Sequence, residues 1–214
     1  MRPWVDPRVG PSQAPVGVVL AGGDGRRMGG AKATVKLAGR PLLSYPLDAV
    51  WRAVGHVAIV AKRETALPEV AGVTVWIEPD QPQHPLAGMV HALGLAAGRP
   101  VLICAGDLPL ISEDLLRHIA LPEPDGDSAT VAAGPDGLQP LVGCYGPAAL
   151  APLAAALQEP GMSVREAVAR LEPATIEVTD PEELFNVNSP ADLLQAGAIL
   201  DRRRVRGPLG IQPR

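Results

Sequence analysis

Residues 20–32 read LAGGDGRRMGGAK, with five glycines, two arginines and one lysine in thirteen positions. Glycine reaches backbone angles closed to other residues and leaves room for close approach, so successive N–H groups can converge on an anion. Arg26, Arg27 and Lys32 add positive charge to that cradle, and the ligand it suits is a polyphosphate. A P-loop is off register here: Gly25 and Gly30 keep its four-residue gap, but Ala31 intrudes before Lys32 and no hydroxyl follows directly. A dinucleotide fingerprint fails as well, because Met28 stands where its third glycine belongs and the second apolar run ends Val60-Ala61-Lys62 without an acid. His56, His84, His91 and His118 have neither metalloprotease spacing nor a paired nucleophile, and no G-x-S-x-G occurs. Only His84 falls near the expected site, where it reads as a loop residue.

A cradle of this kind needs a strand ending at Leu20 to present it. Val16 to Leu20, His56 to Val60, Val73 to Ile77 and Val101 to Cys104 are continuous apolar runs, predicting strands buried on both faces. Between them Leu43, Leu47, Val50, Trp51 and Val54 share one helical face that ends at Gly55. Leu86, Met89, Val90, Leu93 and Ala97 share another that ends at Gly98. Strand and helix in alternation predict a parallel sheet. Ser112, Ser163 with Glu166, and Ser189 with Pro190 and Asp192 mark three further helix starts. Asp136-Gly137 marks a hairpin that adds antiparallel pairing.

The fold class is therefore α/β, a Rossmann-like three-layer sandwich with a mostly parallel sheet in a single domain. Residues 1–14 read as a loose N-terminal tail, 15–201 as the domain and 202–214 as a basic C-terminal tail. In such a sheet ligands bind at the carboxyl ends of the strands, which directs attention to the loops after Leu20, Val60, Ile77 and Cys104.

Composition removes several function classes. With 214 residues, 47% hydrophobic, the chain has enough apolar material for one core. Aromatics are only 3%, which leaves no stacking platform for single-stranded nucleic acid. Nineteen Lys and Arg against 23 Asp and Glu give a net charge of −4, without the positive footprint of a DNA binder. The charge-free stretch from Gly137 to Gln158 reaches bilayer-spanning length but holds Pro140, Pro147 and Pro152, so it is not read as a membrane helix. The N-terminus lacks an apolar leader segment, and Cys104 and Cys144 lie in apolar runs, which predicts buried thiols and a cytoplasmic location.

The stretch from Leu20 to Lys32 resembles the signature loop of the nucleotidyltransferase superfamily, most closely that of the molybdenum cofactor guanylyltransferases. The resemblance continues in Pro85-Leu86-Ala87-Gly88-Met89, a base-proximal loop; in Gly106-Asp107-Leu108-Pro109, a metal-binding turn; in Gln139-Pro140-Leu141; and in Phe185-Asn186-Val187-Asn188-Ser189-Pro190. It implies transfer of a nucleoside monophosphate from GTP to a molybdopterin-type phosphate acceptor, with release of pyrophosphate and Mg2+ as cofactor. It also implies a molybdoenzyme or its chaperone as a further partner, and neither nucleic acid nor membrane.

By the same resemblance Leu20, Ala21, Gly22, Gly23, Arg27, Lys32, Asp80 and Gly88 bind the nucleotide. Lys32 and Asp107 are catalytic, with Asp107 holding the metal, and Asn186 and Asn188 serve the acceptor phosphate or support the metal. The chemistry agrees: an acceptor phosphate monoester has a second pKa near ~6 and is largely ionised at neutral pH, so no general base is required. Positioning and charge neutralisation remain, and a carboxylate directly after the strand VLICAG suits a divalent ion. Two positions depart from the family pattern: Val60 replaces an Asn at the end of the second strand, and Ala31 replaces an Asp before the loop lysine. At the level of sequence the donor base stays open between guanine and cytosine. A different small phosphate acceptor, or a non-catalytic protein that binds nucleotide and molybdopterin, is also open.

Overall fold

The computed structural model describes residues 14–22, 32–121 and 129–206. Its first strand, β1 (Val16–Leu20), is buried along its whole length. Gly17 lets a helix lie directly on it, since a Cβ there would meet the His56 carbonyl oxygen at 2.7 Å and the Val50 side chain. A two-stranded hairpin follows, β2 (Lys36–Leu37) and β3 (Arg40–Pro41), and then α1 (Ser44–Val54), which ends as expected on a left-handed Gly55. The chain continues through β4 (Val57–Ala61), β5 (Thr74–Ile77), α2 (Pro85–Leu95) and β6 (Val101–Ala105). Beyond Asp107 come α3 (Glu113–Ala120), β7 (Ala129–Gly134), β8 (Gly137–Tyr145), α4 (Leu150–Ala156), α5 (Val164–Ala169), β9 (Ala174–Glu177) and α6 (Pro190–Arg206).

The seven-stranded sheet has the order β5-β4-β1-β6-β8-β7-β9. Every neighbouring pair is parallel except those made by β8, which runs against both β6 and β7. The hairpin at Asp136-Gly137 is thus present, and β8 returns from it to pair with β6 as well as with β7. On one face α1 and α3 bury Leu47, Val50, Leu116 and Ile119 against the sheet. On the other, α2, α4 and α5 bury Leu86, Met89, Leu153 and Val168. The three-layer α/β sandwich expected from the strand and helix rhythm is the observed one. Along α6, Ala196 joins Leu37, Leu42 and Val187 in a smaller cluster that closes the β2–β3 hairpin.

All three expected helix starts are capped. Ser112 accepts from the Leu115 N–H at 3.1 Å, and Ser163 with Glu166 forms a reciprocal capping box. Ser189 accepts from the Asp192 N–H at 3.2 Å, while the Asp192 carboxylate accepts one residue earlier than in a capping box, from the Asn188 N–H at 2.8 Å.

Three expectations are corrected. The run Val73 to Ile77 forms an edge strand, with Val75 and Ile77, which share one face, 42% and 43% exposed; an apolar run carries no mark of whether its strand sits at the rim of the sheet, where a face can be left uncovered. Trp51 lies on the helix face expected to be buried yet is 39% exposed. The basic run from Arg202 continues α6 to Arg206 rather than starting a tail: Arg203 pairs with Asp180 at 2.8 Å and donates to the Leu110 carbonyl at 2.9 Å, and Arg202 pairs with Glu182. At the other end Ala14 is already tied to the domain, since Arg99 donates to its carbonyl at 2.7 and 3.0 Å. No helix among the described residues is long and apolar enough to cross a membrane.

Candidate active site

Strand order reverses beside β1, with β4 and β5 to one side and β6 to the other, and the carboxyl ends of β1 and β6 form the crevice. Gly106 holds those ends together. Its N–H donates to the Leu20 carbonyl at 3.0 Å, and a Cβ there would stand 2.9 Å from the same oxygen and 2.8 Å from Leu43 Cδ1. Glycine at this position is therefore what brings Asp107 against the start of the glycine-rich loop. The Val187 N–H donates to the Asp107 carbonyl at 3.0 Å, which docks the segment before α6 onto the same turn.

Lys32 opens a single 3-10 turn, Lys32–Thr34, where the described chain resumes after the loop. Its Nζ lies 2.7 Å from Asp107 Oδ2 and 2.7 Å from Asn188 Oδ1. The Lys32 and Asp107 side chains are each 22% exposed, so the pair lies at the mouth of the crevice. Asn188 is set by its own backbone, through the N–H bond to Asp192.

Above this cluster opens a cavity of about 580 Å³. Leu20, Ala21, Gly22, Lys32, Asp80, Gly88 and Asp107 all line it, so these sequence-selected positions share one space. Asn188 joins through Lys32. Asn186 does not: it is exposed, and its Nδ2 donates to the Leu184 carbonyl at 3.3 Å. Gly23, Arg26 and Arg27 lie outside the described residues. The Pro85 to Met89 stretch, read as a loop, is the first turn of α2, and His84 is that helix's N-cap, accepting from the Leu86 N–H through Nδ1 at 3.3 Å. His84 also lines the cavity.

The resemblance marked Asp80 as the acid of this pocket. Asp80 is exposed, whereas Glu78 is 6% exposed and lines the cavity floor. Its carboxylate fits between two glycines: a Cβ at Gly22 would stand 3.1 Å from Oε1, and one at Gly88 3.2 Å from Oε2. Lys62 Nζ is 3.6 Å from Oε1, while Oε2 has no partner among the described residues. A buried acceptor without a donor costs about 1–3 kcal/mol, so this oxygen suits a ligand's N–H. The available signal was position, since Glu78 directly follows β5 and its N–H continues the ladder to the Ala61 carbonyl at 3.0 Å.

Among the described residues no group of three or more His, Cys, Asp or Glu is placed to hold a metal. Asp107 with Asn188 offers hard oxygen donors that suit Mg2+, an ion that keeps several waters and takes its other ligands from substrate phosphates. The cysteines take no part: burial raises the Cys104 thiol well above its ordinary range, helped by the nearby Asp107 charge, and burial pushes Cys144 up to about 12.

The sequence profile of the MobA-like NTP transferase domain matches residues 17–175. A molybdenum cofactor guanylyltransferase of Cereibacter sphaeroides is 34% identical over 189 residues, spanning 86% of this chain and 96% of that relative. One of Rhodobacter capsulatus is 33% identical over 204 residues, spanning 90% and 98%. Among solved structures, molybdopterin-guanine dinucleotide biosynthesis protein A of Archaeoglobus fulgidus superposes with a TM-score of 0.70 at 23% identity over 87% of this chain and 99% of that one, which establishes a shared fold. The profile match begins in β1 and ends in β9, taking in both walls of the crevice, and the chain belongs to the MobA-like NTP transferase family.

Proposed function

We propose that the protein transfers GMP from GTP to the phosphate of a molybdopterin-type acceptor and releases pyrophosphate. The observation that carries this reading is the meeting of Lys32, Asp107 and Asn188 at the carboxyl ends of β1 and β6, beside a cavity that ends on Glu78. An acceptor phosphate oxygen forms a bond to the α-phosphorus as the bond between that phosphorus and the bridging oxygen to the β-phosphate breaks. The departing electron pair stays on pyrophosphate. Lys32 neutralises charge on the triphosphate, and Asp107 with Asn188 would hold Mg2+. That ion supplies further charge neutralisation where negative charge builds up during transfer.

Glu78 supports guanine over cytosine. Guanine carries two donors side by side, the ring N–H and the 2-amino group, and a carboxylate can accept both. Cytosine has no ring donor, so its N3 lone pair would face carboxylate oxygen. Leu20 and Val60, both buried, add apolar surface next to Gly88 for the base plane.

The test is nucleotide binding across GTP, CTP, UTP and ATP with Mg2+, followed by pyrophosphate release with molybdopterin as acceptor. GTP is expected to bind tightest and to be the one donor that yields acceptor-dependent pyrophosphate. Equal or better turnover of CTP overturns the guanine assignment. Asp107→Ala is expected to lower turnover by about 10²-fold or more, the scale for loss of one preorganised charge-stabilising group, and unchanged turnover removes Asp107 from the metal role.

A further inference from the structure

We propose that Lys32 and the divalent ion compete for one place, so that the metal enters with or after the triphosphate and not before it. The proposal rests on the nucleotidyl-transfer reading above and adds a binding order to it. The Lys32 ammonium lies 2.7 Å from Asp107 Oδ2 and 2.7 Å from Asn188 Oδ1, oxygens contributed by two separate segments of the chain. These are also the hard oxygen donors a small divalent cation would use. No cluster of acids or histidines among the described residues offers an alternative protein cage.

The backbones that carry these two side chains are tethered by bonds that do not involve the lysine. Val187 N–H donates to the Asp107 carbonyl at 3.0 Å, and the Asn188 N–H donates to Asp192 at 2.8 Å. A cation of either kind therefore meets two side chains rooted at fixed points of the chain. The two cannot share it comfortably: an ion bound to Asp107 Oδ2 beside a retained ammonium would put like charges roughly 4 Å apart, where Coulomb repulsion at a partly buried site is strong. A triphosphate changes the balance, because its oxygens offer Lys32 several negative charges in exchange for one carboxylate. Lysine, a compact ammonium on a flexible four-carbon stem, can make that move without backbone change. Once Lys32 turns to phosphate, Asp107 and Asn188 are left for the metal. Linkage then requires that nucleotide tighten metal binding by the same factor as metal tightens nucleotide binding.

Mn2+ serves as the probe, with protein-bound ion measured by electron paramagnetic resonance on the full chain against a protein-free Mn2+–GTP titration, with and without GTP and in the absence of acceptor. Wild-type protein is expected to bind Mn2+ weakly alone and at least about tenfold more tightly with GTP, within the usual span of such couplings. Lys32→Met, which keeps the stem and removes the charge, should bind Mn2+ alone at least about fivefold more tightly than wild type and lose most of the GTP effect. Lys32→Arg keeps the charge and should show no such gain. Asp107→Asn should lose Mn2+ binding in both conditions. Circular dichroism checks that each variant is folded, and Lys32→Gln replaces the Met variant if the latter does not fold.

A Lys32→Met or Lys32→Gln protein whose nucleotide-free Mn2+ affinity equals or falls below that of wild type overturns the proposal. So does Mn2+ binding undiminished by Asp107→Asn. Failure of the underlying reading has a different signature: wild type would bind none of the four nucleoside triphosphates, whatever Mn2+ did.

Discussion

Replacing Gly106 with alanine puts a methyl group between the two strands that build the crevice. The added Cβ would lie 2.9 Å from the Leu20 carbonyl oxygen and 2.8 Å from Leu43 Cδ1, and Leu43 is fully buried. Ordinary carbon contacts begin near 3.4–3.5 Å, so β1 and β6 must part by about 0.5 Å at their carboxyl ends. Overpacking of this size costs about 1–3 kcal/mol. For a chain of this length that is a fall of about 2–12 °C in Tm. Because Asp107 follows directly and Leu20 leads into the glycine-rich loop, the same opening shifts the carboxylate relative to Ala21 and Gly22. Misplacement by 1 Å can cost about 10²-fold in rate, so half that distance should lower turnover about tenfold. Thermal unfolding and initial rates of pyrophosphate release read the two effects separately. Gly94→Ala is the control: it lies within α2, a Cβ there meets nothing within 4 Å, and the change should add about 0.5–1 kcal/mol of stability with turnover unaltered. If Gly106→Ala kept wild-type Tm and rate, contact between the strand ends would not be what sets the geometry of the site.

Two further outcomes follow from side chains already described. Glu78→Gln keeps the shape but replaces one acceptor by a donor, so a wild-type preference for GTP over ITP, which lacks the 2-amino group, should shrink from about tenfold or more toward unity in kcat/KM; a preference that survives the substitution removes Glu78 from base recognition. Glu166 and Asp192 are held below their ordinary ranges, Glu166 first by the Ser163 hydroxyl and Asp192 first by the Asn188 N–H. Lowered folded-state values mean stabilisation that is fully present above the ordinary carboxylate range and is lost as pH falls through the folded values. Tm should therefore drop as pH falls below about 4, with a shallower drop in Asp192→Asn, and parallel curves for the two proteins would contradict the linkage.

The sequence displayed the parts of this site whose signals are local. Gly22 after an apolar run, the Ser163-x-x-Glu166 cap and Gly55 at the end of α1 each depend on neighbours a few positions away, and these features are where the chain pattern placed them. What was not legible depends on residues distant along the chain. Glu78 and Asp80 look alike as strand-end acids, and only Gly22 and Gly88, which approach from other elements, decide that Glu78 is the buried one. The run from Arg202 looked like a basic tail because its partners Asp180 and Glu182 lie on a different turn. Asp136-Gly137 signalled a hairpin, but nothing in either strand says that its second arm pairs with β6 too. Asn186 and Asn188 differ for the same reason. One folds back on the Leu184 carbonyl, and the other meets a lysine 156 positions away.

That long separation bears on how the molecule comes into being. Lys32 and Asp107 are 75 positions apart, whereas Asn188 and the Val187 tether come after every strand of the sheet. A ribosome-bound fragment ending before that segment would present a lysine and a carboxylate without the third member that completes the set. The cluster is therefore completed only after every strand of the sheet has been made.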